Sequence, residues 1–201
     1  KIIINGNERI SPETILLFSE IPDIKFLDEN SINKILKNLY KSNFFKDVTI
    51  KIENNNLIID VLENPIIQTV FIEGIKRKKT EQSLYEILSL KDRSSYNSSL
   101  VKIDETAILN FLKDDGYYFA NVTSSYQDLG DKKIDLLYTI NLGKKSKISK
   151  ISFIGDKKFK DNTLRSTILS EEYKFWKFIS GKKYLNENLI NYDKKLLNNF
   201  Y

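Results

Sequence analysis

Three stretches of the chain read as one phrase: Ile2-Ile3-Ile4-Asn5-Gly6, Val70-Phe71-Ile72-Glu73-Gly74 and Ile151-Ser152-Phe153-Ile154-Gly155. Each is a short β-rich run that stops at a glycine and passes through a polar or basic loop into an amphipathic helix. Recurrence at intervals of about 70–80 residues predicts a row of small similar modules in place of one large core. Such a row excludes most single-site enzymes and points to a modular binding arm.

Within each module the apolar period changes in the same order. In residues 1–65, Ile2–Asn5 reads as a strand. Ser11-Pro12-Glu13 reads as an N-cap, a proline at the first helical position and an acid in the first turn. Pro22 disfavours helix at Ile21 and marks the exit of that helix. From Asp28 onward, Ile32, Ile35, Leu36, Leu39 and Tyr40 fall on one helical stripe, and Asn43 is placed to stop it. The period then becomes two. Val48, Ile50 and Ile52 alternate with polar residues, and Asn54-Asn55-Asn56 makes a turn. On the return strand Leu57, Ile59 and Val61 are expected to face one way, with Asp60 and Glu63 facing the other.

Residues 66–146 repeat the order. A strand is expected at Val70–Ile72, a helix over Thr80–Leu88 and a polar loop over Arg93–Ser99. Asp104-Glu105 is expected to cap a second helix that Gly116 closes. A hairpin follows, with Ala120, Val122 and Tyr126 on one strand and Ile134, Leu136, Tyr138 and Ile140 on the other. Residues 147–201 supply a strand around Ile148–Ile154, a helix over Asp161–Leu169 and a second helix from Asn186. Leu189, Ile190, Leu196, Leu197 and Phe200 line the apolar face of that last helix. This third module reads as truncated, without its last two strands, and its second helix is expected to exchange amide hydrogens faster than the helix over 29–40. The fold class is α+β, each complete module running β-α-α-β-β. A module of this size buries only about 60% of its unfolded surface, so each needs good packing or neighbours.

Composition narrows the chemistry. Apolar residues at 41% and charged residues at 29% suit a folded chain. No apolar run is long enough for a membrane-spanning helix, and the start carries neither an initiator Met nor a secretory leader, so the chain is expected to be mature or cut from something longer. Cysteine and histidine are absent, which removes disulfides and thiolate or imidazole metal sites; no metal and no cofactor is expected. There is no G-x-S-x-G and no phosphate-binding glycine loop, and the acidic pairs Asp114-Asp115 and Glu171-Glu172 lack a convergent partner, so no catalytic residue and no enzyme is expected. The net charge of +5 is uneven: residues 147–201 hold 12 basic against 6 acidic residues. Lys76-Arg77-Lys78-Lys79 is the one dense basic cluster; it reads as a solvated loop, or as a contact for a polyanion or lipid surface, and nucleic acid is not an expected partner.

An ordered set of phrases carries a resemblance that covers nearly the whole chain. Asn5-Gly6-Asn7-Glu8-Arg9-Ile10-Ser11-Pro12-Glu13-Thr14-Ile15 resembles the opening of the first POTRA domain of the outer-membrane protein assembly family. Leu39–Val48 resembles that domain's helix-to-strand junction, with Asn43 where a glycine is common. Glu63-Asn64-Pro65-Ile66-Ile67 resembles the boundary to the second domain, and Phe153-Ile154-Gly155-Asp156 with Leu189–Tyr201 the third. Ile75, where the family prefers a polar residue, and Lys78, opposite Ile10 and Phe159 of the other modules, depart from the pattern. The resemblance implies tandem POTRA units, each with two helices packed on a three-stranded mixed sheet: POTRA 1 over 1–65, POTRA 2 over 66–146 and an incomplete POTRA 3 over 147–201. It implies a periplasmic arm at the bacterial outer membrane, touching the membrane only through a barrel outside this chain. The implied partners are unfolded outer-membrane proteins, assembly-complex lipoproteins, and the remaining POTRA units and barrel of the same chain. A POTRA arm of a translocation-and-assembly-module or two-partner secretion transporter is a related reading. A cell-division interaction scaffold is a reading of another class, and its single unit fits the tandem poorly.

In POTRA-like modules the first hairpin strand lies at a sheet edge, where unpaired N–H and C=O groups can bind an extended peptide with little regard to its sequence. The expected edges are Asp47–Glu53, with Val48, Thr49, Ile50 and Lys51, and Phe119–Tyr126, with Ala120, Asn121, Val122 and Thr123. The same strands also read as ordinary edges defended by Lys46, Lys51, Asn121 and Thr123. Phe175, Trp176 and Phe178, in the most aromatic stretch, read either as a loop folded over the third module's core or as an exposed anchor for a partner.

Overall fold

The opening strand of a module pairs not with its neighbour in sequence but with the last strand of the hairpin. The structure, a computed structural model, describes residues 1–21, 28–54, 56–155, 158–176 and 181–201. β1 (Ile2–Asn5), β2 (Phe45–Glu53) and β3 (Asn56–Glu63) form a sheet in the order β1-β3-β2. β1 runs parallel to β3, with Ile2 opposite Leu57, and β2 runs antiparallel to it, with Val48 opposite Val61. β4 (Ile66–Glu73), β5 (Asn121–Gly130) and β6 (Lys133–Asn141) form a second sheet in the matching order β4-β6-β5. The strands that are central are also the most apolar on one face. Leu57, Ile59 and Val61 on β3, and Ile134, Leu136, Tyr138 and Ile140 on β6, are all buried, as their alternation requires.

The central strand explains the repeated glycine. Gly6 has φ +79°, and a Cβ there would lie 2.2 Å from the Val61 carbonyl oxygen on β3. Gly74 has φ +92°, with the corresponding point 1.8 Å from the Ile140 carbonyl oxygen on β6. Only a residue without a side chain lets the backbone cross that close. Gly155 closes the third copy of the phrase, and a Cβ there meets nothing within 4 Å.

The helices begin where local capping dictates. α1 (Pro12–Ser19) starts at Ser11, whose hydroxyl accepts the Thr14 N–H, and α2 (Glu29–Lys41) starts at Asp28, whose carboxylate accepts the Ser31 N–H at 2.8 Å. α1 ends with Glu20 in the left-handed region; the expected exit at Pro22 lies outside the described residues. α1 packs on α2 and α2 on β2. Ile15, Ile35, Leu39, Leu57 and Ile59 form the buried heart of this module. α3 (Lys78–Ile87) and α4 (Ser98–Asp114) follow β4, and α5 (Asp161–Thr167) and α6 (Glu187–Phe200) lie in the last third of the chain. By backbone packing, residues 1–71, 89–102 and 126–137 form one compact unit, and residues 72–88, 103–125 and 138–201 another. Among the described residues no helix is long and apolar enough to cross a membrane.

Three sequence expectations are corrected. Glu63 does not face away from Leu57, Ile59 and Val61. Its odd number puts it on their side of the strand, and it is buried. α4 begins at Ser98, not near Asp104: the Asn97 side chain accepts the Ser99 and Leu100 N–H groups, so serines that suggest a loop fill the first helical turn. Asp104 is then buried mid-helix and accepts the Tyr138 hydroxyl at 3.0 Å. Residues 148–154 form no strand. Both complete sheets pair the opening strand with the last strand of a hairpin, and the described residues of 147–201 include no hairpin to supply that partner. Instead Ile148 donates to the Lys183 carbonyl and accepts from Tyr173, and Leu185 donates to the Ser146 carbonyl. On α6, Leu189, Ile190, Leu196 and Leu197 of the expected apolar face are half-buried, and Asp193 is the one buried side chain.

Candidate functional site

β3 and β6 each have two neighbours, so every free flank belongs to an outer strand. The flank of β4 is covered. Ile67 donates to the Ser94 carbonyl at 2.9 Å and accepts from Arg93 at 2.7 Å, and the Val70 N–H donates to the Asp92 carboxylate at 2.8 Å.

β2 is an edge that the fold itself blunts. The Val48 N–H donates to the Tyr40 hydroxyl at 3.1 Å, and that hydroxyl donates to Asp47 Oδ1 at 3.0 Å. A register shift between Phe45 and Asp47 breaks the ladder, Lys46 is exposed, and Lys51 Nζ lies 3.9 Å from Asp60. Bulges and lysines are standard defences of an edge. Of the sequence-predicted residues, Val48 points into the core, Ile50 is half-buried, and Thr49 and Lys51 are exposed. Tyr40, which by spacing falls on the apolar stripe of α2, is exposed instead, and its hydroxyl occupies the edge.

β5 is different. Over Asn121–Gly130 it contains no lysine, arginine or proline, and Val122 is its one buried side chain. Its lone carboxylate, Asp128, accepts the Gly130 N–H at 2.8 Å. The Ser124 hydroxyl donates to Glu105 at 2.6 Å, tying the strand to α4, and the exposed Tyr126 ring sits 5.5 Å from Tyr96. Asn121 and Thr123 are exposed on this strand. Ala120 and Phe119 are not on it. Ala120 donates to the Tyr117 carbonyl in the turn after Gly116, which gives the chain the reversal that the strand needs.

In the aromatic loop Phe175 is 72% and Trp176 58% exposed, their rings meeting edge to face at 4.6 Å. Neither covers a core. Phe178 lies outside the described residues. Lys76, Arg77, Lys78 and Lys79 are exposed, and Lys76 and Arg77 border a groove of about 540 Å³ with Leu112, Tyr117 and Ile140.

The strongest electrostatic feature is structural and unforeseen. The Glu63 side chain, with no solvent exposure, accepts the backbone N–H groups of Glu8 at 2.9 Å, Arg9 at 3.0 Å and Ile10 at 2.8 Å, with Arg9 Nε at 3.7 Å. Burial alone would raise its pKa; the N–H groups of Ile10, Glu8 and Arg9 and the Arg9 charge outweigh it and hold the carboxyl below its ordinary value. The same loop reaches onward: the Arg9 guanidinium donates to Ser95 at 3.3 Å, and Glu8 pairs with Lys132 at 2.8 Å. Strand parity was the signal that could have exposed Glu63.

The chain is similar to several known proteins. The POTRA family model, described as "Surface antigen variable number repeat", matches residues 65–143. The chain is 23% identical over 202 residues to the outer membrane protein assembly factor BamA of Neisseria meningitidis, covering 100% of this chain and 25% of the relative. To BamA of Neorickettsia risticii it is 25% identical over 203 residues, covering 100% of this chain and 27% of the relative. The chain thus spans about a quarter of the length of these relatives. Among solved structures, POTRA3-5 of Haemophilus influenzae BamA matches with TM-score 0.48 and 20% identity, covering 99% of this chain and 84% of that one. The N-terminal domain of Omp85 from Thermosynechococcus elongatus matches with TM-score 0.47 and 14% identity over 100% of this chain and 84% of that one. Residues 65–143 thus match the POTRA family model, and the chain as a whole is similar to outer-membrane protein assembly factors of the BamA kind.

Proposed function

We propose that this chain serves in the periplasmic arm of an outer-membrane β-barrel assembly factor, as a binding scaffold with no catalytic step, and that β5 is where it receives an extended segment by strand addition. The module boundaries at 65 and 146 belong to this reading. So do the partners: unfolded outer-membrane proteins and the lipoproteins of an assembly complex.

The observation that carries it is the contrast between the two outer hairpin strands. β2 has a tyrosine hydroxyl on the Val48 N–H, a bulge and two lysines, whereas the ten residues of β5 include no lysine and all but Val122 and Ser124 are exposed. At about 3.3 Å per residue, ten residues offer a docking line of about 33 Å, enough for a whole barrel strand. Hydrogen bonds along that line come from the visitor's main chain, so clients of many sequences fit one site. Thr123 and Ser125 are exposed and carry no charge to reject a visitor.

The test is a titration of the isotope-labelled chain with a peptide from a barrel strand, read amide by amide. Shifts and added exchange protection along 121–130, with 45–53 unmoved, support the reading. Perturbation confined to β2, or to neither edge, refutes it.

A further inference from the structure

We propose that the loop bearing Tyr173, Phe175 and Trp176, with Lys147 and Lys174 beside its rings, rests on the surface of an anionic lipid bilayer. This inference does not depend on strand addition at β5.

Phe175 and Trp176 are among the most exposed large apolar side chains described. Their edge-to-face contact at 4.6 Å makes them one presented unit instead of two independent side chains. Cations sit beside the aromatic rings. Lys174 Nζ lies 5.9 Å from the Trp176 ring and Lys147 Nζ 3.9 Å from the Tyr173 ring, and Lys174, Lys147 and Lys182 are exposed.

Three of the neighbouring carboxylates are engaged within the fold. Glu172 pairs with Arg165 and accepts the Ile151 N–H, and Asp193 is buried and accepts the Leu169 and Ser170 N–H groups. Glu187 accepts the Tyr118 hydroxyl. In sequence, residues 147–201 hold 12 basic against 6 acidic residues.

Aromatic rings mixed with lysines match the chemistry of a membrane interface. Trp and Tyr lodge at headgroup level, and lysine lays its aliphatic stem along them while its ammonium meets phosphate. A protein partner is the weaker fit, since lysine is depleted at protein–protein interfaces while aromatics are enriched.

Trp176 is the chain's single tryptophan, so it reports directly on the loop. The experiment adds vesicles of mixed phosphatidylglycerol and phosphatidylethanolamine, or of phosphatidylcholine alone, to the 201-residue chain and reads Trp176 emission, with flotation as the second readout. Expected is a blue shift with the anionic vesicles, none with phosphatidylcholine, and loss of the shift at high salt. Phe175→Ser with Trp176→Ser, and separately Lys147→Glu with Lys174→Glu, should each cut flotation about ten-fold while far-UV circular dichroism stays unchanged. Emission unmoved by anionic vesicles overturns the proposal. Undiminished flotation of both variants overturns it too and assigns the lipid contact to another basic surface such as Lys76–Lys79. A shift seen only on adding a protein partner would assign the loop to that partner.

Discussion

Replacing Glu63 by glutamine keeps the side chain's shape and removes the charge on which three N–H groups and Arg9 converge. Each hydrogen bond to a buried charged acceptor contributes about 1.5–3 kcal/mol, but the three share one carboxylate and their worth is not additive. Glutamine retains one oxygen, which can still serve Ile10, the most buried of the three donors. Its amide group then meets the Arg9 side as a second donor. The expected loss is about 2–3 kcal/mol for Glu63→Gln and about 3–4 kcal/mol for Glu63→Ala, which leaves every one of these donors without its acceptor. The assay is urea unfolding followed by far-UV circular dichroism, with hydrogen exchange of the Glu8–Ile10 amides as the local readout. The pH profile adds a second check. The folded carboxyl titrates below its ordinary value of 4.5, so its stabilisation is present above that value and is lost as pH falls through the lower folded one. The native chain should lose this increment in acid, and Glu63→Gln should be flat through the same window. A glutamine variant within about 0.5 kcal/mol of the native chain, with unchanged exchange at Glu8–Ile10, would refute the reasoning.

Two further outcomes follow from close approaches in the backbone and at the edge. Gly74→Ala should cost about 2–4 kcal/mol, because its Cβ would fall 1.8 Å from the Ile140 carbonyl oxygen; Gly155→Ala, with nothing within 4 Å, should cost only about 1 kcal/mol of backbone strain. Equal urea midpoints for the two variants would contradict the close-crossing account of the repeated glycine. Tyr40→Phe should lower stability by about 1 kcal/mol and speed exchange of the Val48 amide, since it strips the hydroxyl that Val48 donates to. Unchanged exchange at Val48 would mean that the hydroxyl does not cap that edge.

Much of this protein is written in contacts a few residues long. Ser11, Asp28 and Asn186 cap helices where their side chains meet an N–H three residues ahead, and the alternation of Ile134, Leu136, Tyr138 and Ile140 burials follows from a strand's period of two. The failures also have local causes. Ser98 and Ser99 suit a loop and a first helical turn equally well, and the Asn97 cap together with the burial of Val101 decides for the helix. A run such as 148–154 has the composition of a strand, but a strand exists only with a partner.

The candidate site was half legible. That the first hairpin strand lies at a flank follows from the order of elements, and both edge segments were located to within a few residues. Which flanks are covered was not legible. It depends on a tyrosine from α2 reaching Val48 on β2, and on residues 92–95 folding back over β4. The same holds for Glu63, whose donors lie more than fifty residues away in sequence. Capping, periodicity and the recurring glycine are short-range chemistry that a chain carries wherever it folds. Strand order, the covering of edges and the burial of a charge arise only when distant segments compete for the same hydrogen-bonding groups, and that competition is settled in three dimensions.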